Sequence, residues 1–217
     1  MTEAEWWMST DSIDLLEFLQ DKGSDRKFHL LGCAFCRSAP EPIADDSLQA
    51  LEAVELYADG LSTLDELTKK AFLVTWRAFC AGGGSFAMCC LTAGALAFKA
   101  CREALRERFQ KEIPSQSWRF WDWGKQRRRR AFYAALVREV FGPLPFRTIA
   151  FSQEWRTDTA VSLARQMYES REFSAMPILA DALQDAGCDN EDILNHCRGN
   201  EPHVRGCWVV DLVLKKE

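Results

Sequence analysis

The chain has 217 residues, enough for one generous hydrophobic core or two small ones. Apolar residues make up 47% of it, which excludes a disordered chain, and a net charge of −5 excludes one that is basic throughout and coats nucleic acid. Nine cysteines follow an acidic opening, Met1 to Trp7, that lacks the basic and apolar regions of an export signal; a cytoplasmic protein with reduced thiols is expected.

Helical signals run along the whole chain. Asp11 and Ser12 cap a run carrying Ile13, Leu15, Leu16, Phe18 and Leu19, which Gly23 ends. Ser24 and Asp25 open a second helix with Phe28, Leu31 and Phe35. After a linker over Pro40 to Asp46, Leu48, Leu51, Val54, Leu56 and Tyr57 form an apolar stripe closed by Gly60. Thr63 and Glu66 have capping-box spacing and start a helix through Phe72, Trp76 and Phe79, which Gly82, Gly83 and Gly84 break. Another helix is predicted from Phe86 to about Glu112, stopped by Pro114. A tryptophan-rich segment, Ser117 to Trp123, leads into a helix reaching about Phe141.

Gly142, Pro143 and Pro145 make the clearest break, dividing the chain into regions 1–141 and 142–217. Beyond it the pattern predicts helices over Thr157–Ser170, Ser174–Ala186 and Asp189–Arg198, with Gly187 and Gly199 at C-cap positions and Asp189 as a cap. Cys207–Leu214 reads as a closing helix; its valines also suit a short strand, but no second strand exists to pair with it. The expected fold is all-α, a multi-helix bundle of about eight to nine helices. Ala78 to Phe98 carries no charge and is long enough to span a bilayer, yet its glycines and small residues favour a buried helix pair, so no membrane association is expected.

Two constellations bear chemistry. His29, Cys33 and Cys36 fall at i, i+4 and i+7, one face of a helix, and zinc takes nitrogen and sulfur ligands in tetrahedral geometry. Further ligands are available from His196, Cys197, His203 and Cys207. One structural zinc or no cofactor at all follows, since buried cysteine also serves as a small apolar residue. The second constellation is basic and aromatic: Trp118, Trp121, Lys125, Arg127, Arg128, Arg129 and Arg130 suit phosphates and bases, although four consecutive arginines wind around a helix instead of forming a stripe. No nucleophile elbow, phosphate loop, dinucleotide fingerprint or zinc-protease motif is present, and three histidines leave few general bases.

The opening Met1-Thr-Glu-Ala-Glu-Trp6, with Leu16-Glu-Phe-Leu19, Ser24-Asp-Arg-Lys27, Cys33 and Cys36, and the ending Pro177-Ile-Leu-Ala-Asp-Ala-Leu183, Ala186-Gly-Cys188, His196-Cys-Arg198 and His203-Val-Arg-Gly-Cys-Trp-Val-Val-Asp-Leu212 together resemble a paralogous family of uncharacterised bacterial proteins. The likeness covers roughly the first 60 and last 80 residues. It implies a cytoplasmic helical protein without an assigned activity; His29 departs from the family pattern. The stretch His29 to Arg37 is also similar to the zinc-binding motif of anti-sigma factors, which would make His29, Cys33 and Cys36 metal ligands. The expectation is a helical protein-interaction or regulatory module without catalysis of its own, stapled by zinc or not, that meets a protein partner. An anti-sigma-like zinc regulator and a nucleic-acid-associated protein using the basic patch are the alternatives.

Overall fold

The computed structural model describes residues 1–38, 45–67, 69 and 120–216. Among these residues every regular element is helical, so the expected all-α class holds. The helices predicted through Phe72–Phe79 and Phe86–Glu112, and the uncharged stretch Ala78 to Phe98, lie outside the described residues. No helix of the described residues is long and apolar enough to cross a membrane. The chain divides into two compact units, Met1–Val137 and Arg138–Glu217.

In the first unit, α1 (Glu3–Met8) starts after Thr2, α2 (Ser12–Leu19) after Asp11 and α3 (Asp25–Arg37) after Ser24, each a side-chain cap, while α4 (Asp45–Ala58) begins at the end of the stretch expected as a linker. Asp11 Oδ1 accepts from the Ile13 amide at 2.9 Å and Ser24 Oγ from the Lys27 amide at 3.4 Å, satisfying N–H groups that have no partner inside a helix. The Thr63–Glu66 capping box forms as the spacing predicts, with Thr63 N donating to Glu66 Oε2 at 3.0 Å and Glu66 N to Thr63 Oγ1 at 3.3 Å.

Nine consecutive residues of α3, Phe28 to Cys36, are buried, so this helix is covered on every side. Its neighbour is α4: Cys33 and Cys36 pack with Ala50, Leu51, Ala53 and Val54. Two ion pairs clamp the hairpin, Arg26–Asp59 at 3.1 Å and Arg37–Glu55 at 2.9 Å, with both carboxylates fully or almost fully buried. The long helix α5 (Phe120–Phe141) contributes its N-terminal part to this unit, where Arg130 pairs with Asp11 and Tyr133 meets Phe35 edge-on.

The second unit takes the last turn of α5, then a 3-10 turn (Gln153–Trp155), α6 (Asp158–Ser170), α7 (Met176–Asp185), α8 (Glu191–Arg198) and α9 (Trp208–Leu214). The Cys207–Leu214 segment is therefore helical. Consecutive helices α6, α7 and α8 pack against one another in order, and α9 returns to α6. The core they share includes Met167, Leu179, Leu183, Ile193, Trp208 and Val210. α8 is capped by Asn190, not by Asp189 as the sequence suggests: the Asn190 side chain accepts from Ile193 N at 3.2 Å, one residue nearer the apolar stripe. α7 ends on Gly187 at φ +88°; the bonds Gly187 N to Gln184 O and Cys188 N to Leu183 O, both 2.9 Å, close a Schellman turn. That turn points the chain back toward α8. Arg156 then donates to the Leu212 and Val213 carbonyls at 2.8 and 3.3 Å, tying the 3-10 turn to the C-terminal end of α9.

Candidate metal centre

The last turn of α5 carries a charge where its pattern calls for an apolar residue. Leu136, Val137, Val140 and Phe141 are buried, and so is Glu139 among them, its side chain wholly inaccessible. A carboxylate removed from water needs partners. Those partners come from α8 and from the irregular segment 199–207. His203 presents Nδ1 to Glu139 Oε1 at 3.1 Å and Oε2 at 3.3 Å, and the Val204 amide donates to Oε1 at 3.4 Å. From α8, His196 presents Nε2 to Glu139 Oε2 at 3.2 Å and to Cys207 Sγ at 3.2 Å.

Donor atoms of Glu139, His196, His203 and Cys207 all lie within 4.8 Å of one another, and the four could hold a metal ion. The set is drawn from α5, α8, the loop and the N-cap of α9, all within the second unit. Arg147, just after the break at Gly142, pairs with Asp192 on α8, while Arg198 at the end of α8 bonds Asp181 and Gln184 on α7. Both contacts fix the helix that carries His196.

Electrostatics follow from the burial. Desolvation pushes the Glu139 carboxyl up, but the charge and hydrogen bonds of His196 and His203 outweigh it and hold the group below its ordinary value. Burial, and then the Glu139 charge, drive the Cys207 thiol well above its usual range. Cys197 is pushed up to about 12 by the same two causes.

These values argue against a nucleophilic cysteine, which needs a depressed pKa and some access. The geometry argues further. In a Cys–His–carboxylate relay the two imidazole nitrogens divide the work, one facing the thiol and the other the carboxylate. Here the single atom His196 Nε2 faces both, so the donors converge on a point and do not form a chain.

Of the residues singled out by spacing, His196, His203 and Cys207 come together, and Glu139 joins them. Cys197 does not: it follows His196 on α8 and points into the core, fully buried. His29, Cys33 and Cys36 belong to no group of three or more metal-ligating side chains among the described residues. His29 Nδ1–H donates to Asp25 O at 2.7 Å, and the Cys33 thiol donates to Leu51 O at 3.7 Å. In the basic segment Arg128 is exposed and Arg130 is paired with Asp11. Trp118 lies outside the described residues, as do the side chains of Trp121, Lys125, Arg127 and Arg129. No protein-family model, curated protein or solved structure matches this chain.

Proposed function

We propose that the chain is a non-catalytic helical module of the interaction or regulatory kind, whose second unit is stapled by one structural zinc ion at Glu139, His196, His203 and Cys207. The observation that carries the reading is the convergence of four donors on His196 Nε2 and its neighbours. A tetrahedral zinc with bonds of about 2.0–2.3 Å separates its ligand atoms by roughly 3.3–3.7 Å. The contacts at 3.1–3.2 Å, His196–Glu139, His203–Glu139 and His196–Cys207, need a slight expansion to reach that spacing, and the wider pairs of a set that spans up to 4.8 Å must close in.

Two imidazoles, one thiolate and one carboxylate make a nitrogen-rich, borderline-soft set that suits zinc better than magnesium or calcium. Four protein ligands fill the tetrahedron and leave no position for water or substrate, which is the pattern of a structural site. With no open position and no reactive thiol, the role left to the second unit is to present a fixed surface to a protein partner.

The test is the metal content of full-length protein purified without a metal-binding tag. About one zinc per chain is expected, lost on Glu139→Gln or Cys207→Ser and kept in Cys33→Ala. Protein that carries no metal and takes up none from a zinc buffer overturns the reading; so does zinc that survives both substitutions.

A further inference from the structure

A metal-ligating imidazole is ordinarily aimed by its other ring nitrogen, which donates to a carboxylate, a carbonyl or water. Among the described residues no such acceptor reaches either imidazole. His203 Nε2 is buried without a hydrogen-bond partner, and every hydrogen bond that the His196 ring makes among the described residues runs through Nε2. No acceptor among these residues therefore sets the plane of the His196 ring from its Nδ1 side.

The rings around it supply that constraint. The Trp208 indole lies 5.1 Å from the His196 ring, tilted by 53°, and His203 meets it at 5.2 Å and 76°. Trp208 is itself immobilised. It is 2% exposed, and it sits so close to the Gly142 backbone that a Cβ there would lie 2.6 Å from the indole Cγ. Its Nε1 is buried without a hydrogen-bond partner, so the indole acts through shape and its π-face alone.

We propose that Trp208 is the positioning residue of the metal centre: seated on Gly142, its indole fixes the His196 ring so that Nε2 faces Glu139 and Cys207. This rests on zinc binding at the four donors. It adds a distinct claim, that a residue which never touches the metal sets its affinity.

The experiment uses the full chain loaded with zinc, with affinity measured by competition against a chromogenic chelator. Cobalt(II) replaces zinc in parallel, because its visible bands report ligand geometry. Trp208→Met, which keeps apolar bulk but loses the flat face, is expected to weaken zinc binding by about 10- to 100-fold and to shift the cobalt bands. Trp208→Phe restores a ring face and should bring both back close to wild type. Val213→Ala, also buried on α9 but at the far end of that helix from Cys207, should lower stability while leaving affinity and bands unchanged.

A Trp208→Met protein that binds like wild type overturns the proposal, as does a Val213→Ala protein that loses as much affinity. Should Trp208→Met fail to fold, Gly142→Ala displaces the indole from below, and unmoved cobalt bands in that variant overturn the proposal equally. Wild-type protein that binds neither zinc nor cobalt removes the staple reading as well; bound metal that ignores the indole removes this one alone.

Discussion

Replacing Gly142 by alanine tests the packing beneath the metal centre. Gly142 holds φ +52°, where an L-residue pays roughly 1–2 kcal/mol. The added methyl would also stand 2.6–2.8 Å from three indole atoms of Trp208, a buried ring that must shift to admit it. Overpacking of that kind costs about 1–3 kcal/mol. The two together come to about 2–5 kcal/mol, and in a unit of this size each kcal/mol lowers the midpoint by roughly 4–8 °C. Gly187→Ala is the control. Its φ of +88° carries the conformational cost, but no atom lies within 4 Å of the new Cβ. Thermal unfolding followed by tryptophan fluorescence and calorimetry should therefore show Gly142→Ala melting about 10 °C or more below wild type and clearly below Gly187→Ala. Equal shifts for the two variants would refute the argument, because the Trp208 contact would then contribute nothing.

Two further predictions concern the first unit. Burial holds the His29 pKa below its ordinary value, outweighing the Asp25 carbonyl that raises it. The folded state therefore favours the neutral ring, so its contribution is complete above the unfolded pKa of about 6.5 and is lost as pH falls below it. His29→Asn, which keeps a donor near the Nδ1 position, should flatten the decline in denaturant stability between pH 7.5 and 5.5; an unchanged slope would count against it. Cys33→Ala should cost on the order of 1 kcal/mol in urea unfolding, a small cavity in the α3–α4 packing, with the same result in chelator as in zinc buffer. A chelator-dependent cost would move the zinc to α3.

The helical class and most element boundaries were legible because the caps and breakers lie in the sequence beside the stripes they end. Asn190 was misjudged by one residue because Asp189 offers the same side-chain chemistry, and only the backbone turn at Gly187 decides between them. At the metal centre, His196, His203 and Cys207 could be picked out by residue type, but Glu139, one acidic residue on an arginine-rich helix, could not. One signal pointed to it: a carboxylate three residues after Leu136, inside a stripe that is otherwise Leu, Val and Phe. Its distance along the chain from the other three hid the connection. His29, Cys33 and Cys36 carry the opposite lesson, since helical spacing puts three donors on one face whether that face meets a metal or the Leu51 backbone.

That separation along the chain also orders events during synthesis. Glu139 is translated about 68 residues before Cys207, an interval of roughly 3–14 s at ordinary elongation rates. Through that interval the last turn of α5 holds a carboxylate that it cannot bury, because the side chains that contact it from α8 and the following loop do not yet exist. The second unit must therefore close after translation of its final helix, and a ribosome stalled anywhere between α6 and α8 would display an apolar helix end still kept in water by its own charge.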